Sequence, residues 1–112
     1  MAAEDLGKTS TGIQANVAAL LAYLLGWVSG LILFLIEKEN KFVRFHAMQS
    51  IITFGALTVL FIALGFIPFV GWILMPFLGL AQLVLWILLM VKAYQGEKFM
   101  LPVIGEMAEK NI

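Results

Sequence analysis

The sequence predicts an all-α integral membrane bundle of three transmembrane helices, near 15–36, 42–66 and 73–95, with a short interfacial C-terminal segment. Two observations carry that prediction. Of 112 residues, 62% are apolar and only 12% charged, and the mean hydropathy is +1.02. A soluble domain has roughly 45–50% apolar and about 25% charged residues. The charges are also confined to three places, Glu4 to Lys8, Glu37 to Arg44 and Lys92 to Lys110, which leaves long uncharged runs between them. The chain reads as one transmembrane helical domain, 1–112, with a polar tail at 1–12 and a cytoplasmic interfacial tail at 96–112.

The apolar part of the first run, Val17 to Ile36, is long enough for one crossing of a hydrocarbon core about 30 Å thick. Glu4 and Asp5 stand where a secretory signal would carry basic residues, so the run is expected to remain as a span. The second run, Phe45 to Val91, suits two crossings, with Gly65, Pro68 and Gly71 punctuating its middle. A re-entrant hairpin through 47–91 is the alternative. Pro76 is tolerated if its helix begins only a few residues earlier. Asn40 suits an N-cap, Glu37 and Glu39 favour the positive end of the helix that follows, and Gly96 suits a C-terminal stop. Beyond it, Phe99, Met100, Leu101, Val103, Ile104 and Met107 alternate with Glu97, Lys98, Glu106, Glu109 and Lys110. Such a segment either lies on the membrane surface or docks under the bundle.

Three crossings would put Lys8 alone on one side and Lys38, Lys41, Arg44, Lys92, Lys98 and Lys110 on the other. The positive-inside rule then predicts a multi-pass protein of the cell membrane with its N-terminus outside and both the 37–44 loop and the C-terminus cytoplasmic. Lys38, Lys41, Arg44 and Lys92 become candidate headgroup contacts. Net charge is zero, so no basic surplus favours nucleic acid.

Two helix faces stand out. Ala18, Ala22, Gly26 and Gly30 recur every fourth residue, a row of small side chains that lets another helix approach closely. Its partner is either a helix of the same chain or a second copy, so the expected partners are lipid, a homo-oligomer or other membrane proteins. His46, Gln49, Ser50 and Thr53 form a polar stripe entering the membrane on one face of the second helix. The stripe either bonds neighbouring helices, through Gln82 or Asn16, or lines a cytoplasm-facing vestibule of a transport path. Ser50 and His46 have no intramembrane acid to complete a nucleophilic set, and cysteine is absent, so neither an enzyme nor a cofactor or metal site is expected.

The segments EKENKFVRFHAMQS at 37–50, FIPFVGW at 66–72 and KAYQGEKFMLPVIG at 92–105 resemble a family of small prokaryotic integral membrane proteins of unassigned activity. That family is similar to the Tic-type import component of the chloroplast envelope and to magnetosome-membrane proteins. Arg44, Phe45, His46, Ala47, Gln49 and Ser50 carry the most specific part. The resemblance implies a compact helical membrane domain of three or four spans, with relatives implicated in protein translocation or organelle assembly. The expected function is therefore interaction, as a scaffold, assembly factor or accessory subunit. The alternative is a component of a translocation path.

Overall fold

A computed structural model describes residues 6–112. Among the described residues the regular structure is all helical, in the order α1 (Ala15–Leu24), α2 (Trp27–Ile36), α3 (Lys41–Gly65), α4 (Val70–Tyr94) and α5 (Ile104–Lys110). Among the described residues, only α3 and α4, of 25 residues each, are long and apolar enough to cross a membrane. Each rises about 37 Å at ~1.5 Å per residue.

The span expected at 15–36 is instead two helices of 10 residues each, folded back on one another. Gly26 makes the reversal, with φ 63° and ψ −135°, a conformation open to glycine and strained for any residue with a Cβ. Three side-chain hydrogen bonds tie down the break. The Leu25 amide donates to Ser29 Oγ at 2.9 Å, Ser29 Oγ donates to the Ala22 carbonyl at 3.1 Å, and Ser50 Oγ donates to the Gly26 carbonyl at 2.9 Å. Each arm rises only ~15 Å, half a hydrocarbon core. Three full spans are therefore not formed, and the chain reverses in the first apolar run, not re-entrantly within 47–91.

The arms wrap one end of the α3–α4 pair. Ala15, Ala18 and Ala22 of α1 pack with Leu33 of α2 and with Val43 and Ala47 of α3. On the other side of α1, Ala19 and Tyr23 pack with Phe54 of α3 and with Leu89 and Ala93 of α4. On α2, Gly30 lies so close to α3 that a Cβ would stand 2.9 Å from the Ala47 carbonyl oxygen. The small-residue row thus permits close approach, but Gly26 divides it between two arms and turns it inward, so it is not one continuous helix face. Every buried residue of α3 falls between Val43 and Phe54. Beyond that level α3 and α4 continue as a bare pair.

Because the hairpin returns, both its ends lie where α3 begins and α4 ends. Ser10 is hydrogen-bonded to Glu37, and Asn40 Nδ2 donates to the carbonyls of Leu6 and Lys8 at 2.9 and 3.1 Å. The N-terminal segment and the 37–44 loop therefore share one end of the molecule, contrary to the expected separation. The hairpin brings the chain back to the end from which it started, where a single helix over 15–36 would not. All seven Lys and Arg residues sit at this charged end, and the opposite turn, 66–69, has none.

At its C-terminus α4 stops as expected. Gly96 has φ 80°, the Gly96 amide donates to the Ala93 carbonyl at 3.1 Å, and the Glu97 amide donates to the Lys92 carbonyl at 3.0 Å. The tail packs against the bundle, as the docking reading expects, while Val103 and Met107 remain exposed. Segment 97–101 crosses the start of α3, and α5 packs beneath it with Gly105 and Ala108 buried.

Candidate functional site

Asn40 sets the register of the polar stripe. Its Oδ1 accepts the Val43 amide at 3.0 Å and its backbone is extended, so α3 starts at Lys41. From that start, His46, Gln49, Ser50 and Thr53 fall on the inward face, and all four are buried.

Their partners come from α1 and from the chain after α4. His46 Nε2 lies 3.0 Å from the Glu97 carbonyl oxygen, and its Nδ1 lies 2.6 Å from the Tyr23 hydroxyl. A carbonyl can only accept, so Nε2 carries the proton, and Nδ1 accepts from Tyr23. Gln49 Nε2 donates to the Tyr23 hydroxyl at 3.0 Å and to the Phe99 carbonyl at 2.8 Å. Its Oε1 accepts the Leu101 amide at 2.9 Å. The result is one directed chain of donors, Gln49 to Tyr23 to His46 to Glu97. The edges of Tyr23, Phe42 and Phe45 enclose the imidazole, with ring centroids 5.4, 4.6 and 5.2 Å away.

Neither helix-borne partner expected for the stripe fills that role. Asn16 Nδ2 donates to the Tyr94 carbonyl at 3.1 Å. Gln82 lines a lateral cavity of about 410 Å³ above the hairpin tip, with Gly26, Trp27, Thr58 and Trp86. Thr53 Oγ1 is buried without a partner among the described residues. Two functional groups escaped the sequence reading. Tyr23 was visible as the only hydroxyl between Asn16 and Ser29. The backbone of 97–101 had no sequence signal, because every peptide offers the same groups.

A second polar centre closes the N-terminal segment onto the loop. The Glu37 carboxylate is fully buried and accepts the Ser10 amide at 2.8 Å, the Ser10 hydroxyl at 2.8 Å, the Glu39 amide at 3.1 Å and the Asn40 amide at 3.0 Å. Burial pushes its pKa up, but the bonds from Ser10, Asn40 and Glu39 outweigh that and hold it below the usual carboxylate value.

The expected headgroup cations divide. Lys38 and Lys41 are exposed. Lys92 pairs with Glu97 at 3.2 Å. Arg44 is not a free headgroup contact: it donates to the Phe34 and Glu37 carbonyls at 3.0 and 2.7 Å and stacks 4.0 Å over the Phe34 ring. It therefore satisfies the orphan carbonyls at the C-terminus of α2.

The arrangement can hold backbone segments together and fix proton positions. Ser50 Oγ bonds Gly26, not His46, so the two do not form a nucleophile–base pair. Among the described residues no group of three or more His, Cys, Asp or Glu side chains could hold a metal ion.

Comparison with known proteins matches residues 8–108 to the magnetosome magnetite crystal formation protein family. A UPF0132 membrane protein of Methanocaldococcus jannaschii is 54% identical over 105 residues, 94% of each chain. One from Archaeoglobus fulgidus is 50% identical over 100 residues, 89% of this chain and 97% of its own. A second M. jannaschii relative is 46% identical over 99 residues, 88% of this chain and 71% of its own. No solved structure matches the chain. These matches bear on the magnetosome side of the resemblance and not on the chloroplast side. The matched range takes in the α1–α2 hairpin, both long helices and the polar chain from Gln49 to Glu97, and on that extent the chain belongs to the MamF/MmsF family of membrane proteins.

Proposed function

We propose that this protein works by contact, as a membrane-embedded scaffold or assembly subunit, and not as an enzyme, with its whole charged end in the cytoplasm. The supporting observation is how the polar stripe is used. His46, Gln49 and Ser50 are fully buried, and their hydrogen bonds join α1, α3 and the 97–101 segment. Such a core keeps the charged end rigid and leaves the apolar flanks of α3 and α4 as the surface offered to lipid or to other membrane helices. Burial of the same residues weighs against the alternative, a translocation path with a wet vestibule. The family's description in terms of magnetosome crystal formation accords with a part in organising a membrane compartment.

The orientation follows from all seven Lys and Arg residues lying at one end. It places the N-terminus on the cytoplasmic side together with the 37–44 loop and the C-terminus, with α3 and α4 as the two crossings. The chain lacks cysteine, so Lys8→Cys, Phe69→Cys and Lys98→Cys can be probed singly with an impermeant thiol reagent. Intact cells should label position 69 only, and opened cells all three. Labelling of 8 together with 69 in intact cells would restore three spans. Gln49→Cys and Thr53→Cys should stay unreactive in both, and labelling of both would favour the vestibule.

A further inference from the structure

We infer that the molecule is a one-leaflet wedge that prefers membranes curved so that the leaflet around its charged end is the outer, expanded one. This rests on the proposed placement of α3 and α4 across the bilayer. Four helices share the half nearest the charged end, and only two continue into the other half. The arms of the hairpin, with 10 residues each, end at the level of Phe54 and Trp86, where Ser50 bonds the Gly26 carbonyl and Trp86 Nε1 donates to the Tyr23 carbonyl at 2.8 Å. A helix about 10–12 Å across occupies roughly 80–110 Å², so two extra helices add roughly 160–220 Å² to one leaflet.

The hairpin belongs in hydrocarbon and not in water. Leu25 (66% exposed), Ile32 (49%) and Leu35 (56%) project from it, and the Ala22 and Gly26 carbonyls at its turn accept hydrogen bonds from Ser29 and Ser50. It is also bound closely to α3. Gly30 packs so near that a Cβ there would stand 2.9 Å from the Ala47 carbonyl oxygen, and the Gly26 carbonyl accepts from Ser50 Oγ, so splaying would give up these contacts. Above its tip the lateral cavity beside Gln82 leaves space that lipid chains of the narrow half must fill. A stiff inclusion that is wider in one leaflet is relieved when that leaflet bends outward.

The test uses the intact chain carrying a fluorophore at Lys98→Cys in giant vesicles of phosphatidylcholine and phosphatidylglycerol. An impermeant quencher reports which way the charged end faces, and membrane tubes of controlled radius are pulled from the vesicles. With the charged end outward, the protein should become severalfold denser in the narrowest tubes than on the flat membrane. With it inward, the protein should be depleted. Equal density at all radii, or the opposite sign, would overturn the inference. The exposed apolar residues of the tail provide the control, because surface insertion of α5 would sort in the same direction. Val103→Asn with Met107→Gln should leave the enrichment intact, and its loss would assign the effect to α5 and refute the hairpin wedge. The orientation is read in the vesicle itself, so a wrong cytoplasmic assignment in cells would show separately in the cysteine labelling.

Discussion

Gln49 serves three groups at once: the Tyr23 hydroxyl, the Phe99 carbonyl and the Leu101 amide. Replacing it with leucine preserves volume and strands the two backbone groups in a buried site. At roughly 1–3 kcal/mol for each unsatisfied group, Gln49→Leu should cost about 2–6 kcal/mol. The checks are the melting temperature in detergent and hydrogen exchange at the Leu101 amide, which should lose protection before the core of α3 does. Glu37 has a different dependence. Its carboxyl is held below its ordinary value of 4.5, so its contribution is complete above that pH and is lost as pH falls through the depressed folded value. Protease cutting within residues 6–14 should therefore be flat from neutral pH to about 5 and rise only in stronger acid. Glu37→Gln should raise cutting at neutral pH, with a loss of about 1.5–3 kcal/mol for the charge-assisted bonds. At this scale the helical period made the stripe legible, since it depends only on spacing along α3. Its partners lie 23 to 52 residues away in sequence, and spacing along one helix carries no information about them.

The reversal at Gly26 is the element on which local reading fails. From Ala15 to Ile36 hydropathy stays high and small residues recur at helical spacing, so nothing but one glycine distinguishes two half-length helices from one span. Glycine is common within membrane helices and is not by itself a stop. Gly26→Val would place a β-branched residue at φ 63°, with its Cβ 3.3 Å from that of Phe54. The expected penalty is about 1–3 kcal/mol in thermal stability. Gly55→Ala, in α3 and with open space around it, should instead be neutral or gain up to ~1 kcal/mol. Equal effects of the two would mean that Gly26 is not a turn. Another pair of elements shares a device that the sequence does display. Ile67-Pro68-Phe69-Val70-Gly71 and Leu101-Pro102-Val103-Ile104-Gly105 open α4 and α5 alike. In each the residue after proline has positive φ, 63° at Phe69 and 67° at Val103, and the next amide donates to the proline carbonyl at 2.7 Å. These are tight γ-turns.

Across the whole molecule, one asymmetry of charge and one of cross-section coincide. The end that collects every Lys and Arg also collects four helices and the docked tail, whereas the uncharged end is a two-helix turn. The cysteine labelling and tube-sorting experiments test the two asymmetries separately, the first by side of the membrane and the second by its curvature. If both hold, the protein would label as a two-span chain with N- and C-termini together and would concentrate where the cytoplasmic leaflet is convex.

By itself, the sequence determined an apolar, all-helical membrane chain, the caps at Asn40 and Gly96, the inward stripe of α3 and the concentration of basic residues near particular segments. Each of these depends on composition or on spacing within one helix, which neighbouring residues settle among themselves. The tertiary structure decided that the first apolar run folds as two short helices, that the segment from Leu6 lies beside the 37–44 loop, the capping role of Arg44 and the bonding of His46 and Gln49 to the chain after α4. Those outcomes rest on contacts between distant segments. The Gly26 turn is held by Ser50 and Phe54, and the N-terminal segment by Glu37 and Asn40, so the reversal is favourable only when α3 is in place to receive it.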